Sequence, residues 1–334
     1  MVALYVTSLD EAVGKTVVGA GLGKHLLGNG KKVGFLKPLI AETEGPPVEG
    51  VDSDAEFMKH VLALEEPVEA LCPVISDTED LASEIKKVYA GVSKGKDVVI
   101  MEGTGKPSPA LFKVADALGA KVVIVEGYSD GLLTARLTSS GEDWGGHLLG
   151  AVLNKVPGSQ LDRVSGEISE PGINILGVLP EDRTLLALSV GELAEHVQGE
   201  ILNNAEMSGA LVENIMLGAM TVDPGPDYFG RKANKAVIVR GERPDMQLAA
   251  LETPTTCLVI SGDTAPIPSV RYNAEHKKVP IILTRGDVLA TVTSIESALG
   301  KARFNQESKL ARLTEIMNQH FDFPAVYKGL GLTK

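Results

Sequence analysis

Short apolar runs rich in β-branched residues alternate with helical patterns from the start of the chain. Residues 2–6 read as a buried strand, and residues 15–27 as a helix that Gly28, Asn29 and Gly30 bring to a stop. Residues 32–36 are the next strand. The Gly-, Pro- and Glu-rich stretch 42–52 reads as a surface loop. Helical patterns cover 54–64 and 80–92. Residues 97–101 and 121–125 are continuous apolar runs, as expected for strands covered on both faces, and 148–153 and 173–179 continue the series. Strands that alternate with helices in this way predict an α/β fold, a parallel sheet with helices on both sides.

The pattern pauses between Gly191 and Met207, where residues 191–197 read as a short helix closing the first domain. A second α/β series follows. Its strands are 236–239, 256–260 and 280–283, and its helices 245–251, 269–276 and 287–300. Residues 308–320 form an amphipathic last helix, with a Gly-rich tail beginning at Gly329. The expected organisation is a domain over 1–200, a smaller α/β domain over 205–322, and a tail over 323–334.

Composition narrows the function classes. Of the 334 residues, 44% are apolar and 23% charged, which is ordinary globular usage. The net charge of −12 sets most of the surface against a polyanion, so nucleic acid is not an expected partner. Small anions remain open, because local backbone donors hold them whatever the net charge. One Trp in the whole chain argues against a stacking platform for bases or sugars. Cys72 and Cys257 lack a CxxC partner, and the six histidines lack metal-ligand spacing, so a disulfide framework and a zinc site are not expected. The N-terminus lacks the pattern of a secretion signal and no apolar run approaches the roughly 20 residues of a membrane span, so the expected location is the cytoplasm.

The sharpest chemistry lies where the first strand meets the first helix. A helix N-terminus presents unpaired N–H groups and the positive end of its dipole, which suits phosphate oxygens. In Gly14-Lys15-Thr16, Gly14 lets the backbone approach closely, Lys15 reaches the β/γ-phosphates and Thr16 ligates Mg²⁺. Asp10, Val13, Gly14, Lys15, Thr16 and Val17 are therefore the candidate nucleotide-binding set. The phosphate-loop pattern G-x-x-x-x-G-K-[ST] is met in part, since Leu9 stands where it asks for Gly.

Glu102 ends the buried run 98–101, where a parallel sheet presents its binding crevice, and is a candidate metal ligand. Asp54 reads equally as a second metal ligand or, with Ser53, as a helix cap. Lys37 ends the second strand and offers a second cation to the phosphates, so Lys15 and Lys37 are the candidate catalytic residues. Asn154 is placed to read a base edge. In the second half, Gly241, Arg243 and Gly262 mark a possible effector site for a small anion, unless Arg243 pairs with Asp245 instead.

Asp10 to Thr16, read as D-E-A-V-G-K-T, is similar to the loop of dethiobiotin synthetases. Lys37-Pro38, Ser53-Asp54-Ala55, Glu102-Gly103-Thr104-Gly105 and Asn154 follow in that family's order, and the resemblance spans about residues 1–185. It implies a P-loop NTPase fold in which Lys15, Thr16, Asp54 and Glu102 serve Mg²⁺ and ATP. This chain has Ser8, Glu11 and Lys106 where that family has Gly, Thr and Gly.

Residues 214–320 resemble a DRTGG domain, through Val239 to Gln247, Leu217 to Thr221 and Ile260 to Asp263. A dethiobiotin-synthetase-like domain followed by a DRTGG domain resembles the N-terminal regulatory half of long bacterial phosphate acetyltransferases. The resemblance implies a Mg²⁺-ATP-binding regulatory or sensor protein, a homodimer working beside proteins of acetyl-transfer metabolism and lacking the acetyltransferase catalytic domain. The alternative expectation is an ATP-dependent carboxylate-activating ligase related to dethiobiotin synthetase or cobyrinic acid a,c-diamide synthase. A dimeric ATPase switch needs an early loop lysine, where this chain has Asp10 and Glu11.

Overall fold

The computed structural model describes residues 1–41, 52–77, 79–103, 108–129, 141, 143–167, 174–219, 225–300 and 302–333. It divides into two compact units, Met1–Glu181 with Phe304–Lys334, and Asp182–Arg303. In the first unit, strands β1 (Val2–Ser8), β2 (Val33–Leu36), β3 (Leu39–Ala41), β4 (Val74–Ser76), β5 (Val98–Glu102), β6 (Lys121–Gly127), β7 (Leu148–Val156) and β8 (Ile175–Pro180) alternate with helices. The helices are α1 (Lys15–Gly28), α2 (Ser53–Val61), α3 (Val68–Leu71), α4 (Leu81–Ser93), α5 (Pro109–Leu118) and α6 (Leu161–Glu167).

Six strands form one parallel sheet in the order β2-β5-β1-β6-β7-β8. Its middle is dry: β1 is buried from Ala3 to Ser8 and β5 along its whole length, which is why residues 2–6 and 98–101 read as apolar runs. β1 lies between β5 and β6, so the winding reverses there and leaves a crevice at the strands' C-terminal ends. Ser8, Glu102 and Asn154 end or nearly end β1, β5 and β7, and so stand along that rim. The expected loop 42–52 lies outside the described residues but for Asp52, and Ile173, expected to open the last strand, lies outside them too.

The second unit contains α7 (Arg183–Leu186), β9 (Leu188–Ser189), α8 (Val190–His196), β10 (Glu200–Ile201), β11 (Leu211–Val212), β12 (Asn214–Leu217), α9 (Gly225–Phe229) and β13 (Lys235–Arg240). It continues with α10 (Pro244–Leu251), β14 (Thr255–Ser261), α11 (Pro268–His276), β15 (Ile281–Thr284) and α12 (Val288–Gly300). Its sheet runs β10-β15-β14-β13-β12, parallel except for the edge strand β10. Alternate residues feed two cores. Val237, Val239, Leu258 and Ile260 meet Met246, Val270 and Ala274 on one face, while Ala236, Ile238, Cys257 and Val259 meet Leu193, Ala194, Ile295 and Ala298 on the other.

This division differs from a boundary near residue 200. The helix expected to close the first domain is α8, started by a capping box between Ser189 and Glu192, and its Val190, Leu193 and Ala194 bury themselves in the second unit's core.

At the end of the basic run from Arg231 to Lys235, Lys235 is wholly buried at the start of β13. Its Nζ donates to Thr253 Oγ1 at 3.0 Å and to the Pro254 carbonyl at 2.7 Å. Burial brings its pKa from 10.5 down to about 8. Between those two values the unfolded chain holds the proton that the folded chain has released, so folding stability rises with pH across that window and is level below it. Urea unfolding followed by hydrogen exchange in β13 is expected to show this rise in the wild type and a smaller one in Lys235→Met. Equal slopes in the two proteins would contradict the assignment.

From Phe304 onward the chain belongs to the first unit, as α13 (Leu310–His320) and α14 (Phe323–Gly329). α13 lies so close to α1 that a Cβ on Gly21 would collide with Met317 Sδ. Phe321 bridges to Gly177 of β8, and the Asp322 N–H donates to the Leu176 carbonyl at 2.6 Å. Of the expected tail over 323–334, Phe323–Gly329 is a packed helix instead. Asp322 caps it by accepting from the Ala325 N–H at 3.0 Å, Pro324 fits its first turn, and Phe323, Val326, Tyr327 and Leu330 form a buried stripe. The Phe323 ring stacks on His25 of α1 with centroids 3.5 Å apart. Phe323→Ala is expected to cost about 3 kcal/mol, read as a lower melting temperature of the first unit.

Candidate functional site

The turn between β1 and α1 is built by backbone geometry. Positive φ falls at Ala12 (55°) and Gly14 (101°) and not at Leu9, so this loop forms without a glycine at position 9. Gly14 occupies the N-cap position of α1, with no side-chain cap on the helix. A Cβ there would run into Asn154 Nδ2. Two residues at the end of β7 clamp the loop: Asn154 Nδ2 donates to the Val13 carbonyl at 2.8 Å, and Lys155 Nζ to the Ala12 carbonyl at 2.8 Å. The structure therefore gives Asn154 a part in shaping the loop, which the sequence did not suggest. Asn154→Ala is expected to cost about 1–2 kcal/mol in urea unfolding, because a carbonyl loses its partner beside Gly14.

Lys15 and Thr16 begin α1 and turn toward the strand ends. Lys15 Nζ donates to Ser8 Oγ at 3.0 Å, and Ser8 Oγ donates to the Asp10 carbonyl at 2.6 Å. Thr16 Oγ1 donates to Glu102 Oε1 at 2.9 Å, joining residues 86 positions apart in sequence. Burial lowers the Lys15 pKa, helped by the like charge of Lys37 and opposed by Glu102. Val13 is buried below the loop, Val17 is half-buried, and Glu11 is exposed at its tip.

A second cluster flanks the first. Lys37 is buried, and its Nζ donates to both Asp52 carboxylate oxygens at 3.0 Å and to Asp54 Oδ2 at 2.6 Å, with Glu102 Oε1 at 3.9 Å. Burial works against the Lys37 charge, but Glu102, Asp54 and Asp52 outweigh it and raise the pKa. Burial pushes the Glu102 carboxyl up to about 7 against the pull of Lys37. Asp52 is the N-cap of α2, accepting from the Ala55 N–H at 2.9 Å, so the cap is neither Ser53 nor Asp54. Asp54 lies in the first turn of α2 and accepts from Lys37.

Lys15, Thr16, Lys37, Asp54 and Glu102, singled out from the sequence, are brought together by the fold. Asp52, the second anchor of Lys37, was not among them, although an Asp ahead of Ser53-Asp54-Ala55 is a recognisable cap signal. Thr104, Gly105 and Lys106 lie outside the described residues. In the second unit, Arg243 closes on Asp245 with Nη2 to Oδ2 at 2.8 Å and Nε to Oδ1 at 3.0 Å. Of the two readings of Arg243, the structure shows the pairing. Gly241 and Gly262 follow the ends of β13 and β14, and the Gly262 N–H is already engaged by the Thr284 and Gly286 carbonyls.

A family model described as an AAA domain matches residues 2–188, more than half of the chain. The chain belongs to this AAA-domain family. A DRTGG domain model matches residues 192–298, after the AAA domain. A phosphate acetyltransferase of Nitrosomonas europaea is 24% identical over 370 residues, covering 99% of this chain and 52% of that protein. A second, from Pseudomonas aeruginosa, is 25% identical over 365 residues, 97% of this chain and 51% of that one. The chain spans about half the length of these curated relatives. The chain also matches an ATP-dependent dethiobiotin synthetase of Salmonella typhi, 32% identical over 110 residues, 30% of this chain and 48% of that enzyme. Among the described residues, no helix is long and apolar enough to cross a membrane.

Proposed function

We propose that this chain is a regulatory module whose AAA domain binds Mg²⁺-ATP and whose DRTGG domain binds a small effector or a partner protein. The observation that carries the reading is the meeting of the Lys15-Thr16 helix start with the buried Glu102, across a 2.9 Å hydrogen bond. In this reading Lys15 and the N–H groups from Gly14 to Val17 hold the phosphates, with Asp10 and Val13 shaping their loop. Lys37 supplies a second cation, and Asn154 borders the base.

The donor set suits Mg²⁺. Glu102 Oε2 is buried and has no hydrogen-bond partner among the described residues, and Thr16 Oγ1 lies on the other oxygen of the same carboxylate. No group of three or more His, Cys, Asp or Glu is poised around a metal among the described residues. Mg²⁺ prefers one or two protein groups together with phosphate oxygens and water, and Thr16 Oγ1 and Glu102 Oε2 are such groups. Thr16 and Glu102 would bind it, with Asp54 reaching it through water once Lys37 turns to the phosphates.

The relatives named phosphate acetyltransferase support a place beside acetyl-transfer metabolism, and pairing of two copies belongs to the same proposal. The second reading is an ATP-dependent ligase that activates a carboxylate. It is favoured by Lys37 standing beside Glu102 and by the dethiobiotin synthetase match. The two readings part on turnover. A regulatory module releases ADP slowly and at one rate whichever mono- or dicarboxylate is added. Fast ADP release that depends on one carboxylate, with an acyl phosphate trapped by hydroxylamine, would favour the ligase.

A further inference from the structure

The second unit holds a cavity of about 530 Å³ at the C-terminal end of its sheet. Its floor is the end of β15, its walls are the turn from α8 to β10 and the first turns of α12, and the loop after β14 borders it. The size is that of a small-molecule site. Its chemistry is mixed in charge. Glu200 and Asp263 bring carboxylates, Arg285 a guanidinium, and His196, Gln198 and Thr291 polar side chains. Thr284 is committed to the wall, its Oγ1 donating to the Val197 carbonyl at 2.7 Å, so the cavity rests on a fixed base.

Two features narrow the ligand. Among the described residues the lining has one aromatic ring, the His196 imidazole, and a single guanidinium with no lysine, so it lacks the charge that a polyphosphate needs. The charged groups are also spare. Arg285 Nε and Asp263 Oδ1 stand 3.8 Å apart with side chains 89% and 66% exposed, a contact worth little and easily exchanged for a ligand of opposite charges. Glu200, exposed on the edge strand β10, adds a second carboxylate.

We infer that this cavity binds a small zwitterion, a molecule carrying a carboxylate for Arg285 and an ammonium for Glu200 and Asp263, of the amino-acid class. The inference rests on the reading of the DRTGG domain as an effector-binding unit, and it places the effector away from the Gly241–Arg243 rim. It also separates the two ligands by chemistry, phosphates in the AAA domain and a zwitterion here.

The test is calorimetry and thermal shift on the full chain, with glycine, L-alanine and L-glutamate as zwitterions, acetate and succinate as acids, ethylamine and putrescine as amines, and ATP as the polyphosphate. At least one zwitterion is expected to bind and raise the melting temperature, while acids and amines alone do not. Arg285→Ala and Glu200→Gln are each expected to weaken that binding about tenfold or more, whereas Arg243→Ala leaves it unchanged. Lys15→Ala is expected to leave it unchanged too, so loss of ATP binding and loss of the zwitterion are read independently. No binding by any zwitterion, binding indifferent to Arg285→Ala and Glu200→Gln, or equally tight binding of acetate would overturn the inference.

Discussion

Lys15→Ala is expected to raise the Kd for Mg²⁺-ATP about a hundredfold or more while leaving the fold intact. Lys15 is the cation at the start of α1, and charge-assisted bonds to phosphate are the strong term in such a site. Without ligand its ammonium has Ser8 Oγ at 3.0 Å, and burial already disfavours its charge, so the unliganded protein loses little when it goes. Circular dichroism and the melting temperature of the variant are expected to match the wild type within the effect of one hydrogen bond. Lys15→Arg does not restore binding in this account, because a planar guanidinium cannot replace a compact ammonium between Ser8 and the phosphates. Unchanged affinity in Lys15→Ala would remove the phosphate loop from the function.

Lys37→Met carries the largest expected effect on stability. Lys37 holds Asp52 and Asp54 at 2.6–3.0 Å from a position only 9% exposed, and Glu102 lies next to it. Removing one partner of such a cluster leaves carboxylates half-buried without their counter-charge, a loss of about 3–5 kcal/mol. Chemical denaturation of the first unit is the measurement. The double variant Lys37→Met with Asp54→Asn is expected to recover part of the loss, since the two residues share one interaction. The sign of the pH dependence follows from the raised Lys37 pKa: its stabilisation is full below the ordinary lysine value and is lost as pH rises through the higher folded value. A loss below about 1 kcal/mol would show that Lys37 is held more loosely than the geometry indicates.

The sheet and its helices were legible because both units are wound from buried parallel strands, whose unbroken apolar runs such as residues 98–101 are their signature. The site was legible for a related reason. Gly14, Lys15 and Thr16 are local, while Lys37 and Glu102 fall at strand ends, where a parallel sheet gathers them. What escaped depends on contacts between distant parts of the chain. Nothing local tells α13 and α14 to fold onto α1, because the partners of Met317 and Phe323 are Gly21 and His25, some 300 residues earlier. The burial of Lys235 is not legible either, since a lysine beside other basic residues is usually solvated and its partners Thr253 and Pro254 lie 18 and 19 residues further on. Asn154 was read through its amide as a base reader, and its bond to Val13 appears only when β7 stands beside the loop.

The account turns on whether the Gly14-Lys15-Thr16 turn, with Leu9 in place of the usual glycine, is a working nucleotide site. Isothermal titration of the full chain with ATP, in Mg²⁺ and again in EDTA, addresses this directly. The account predicts saturable binding in Mg²⁺ that weakens markedly in EDTA and in Glu102→Gln. Absence of binding, or affinity that is the same with and without the metal, would contradict it.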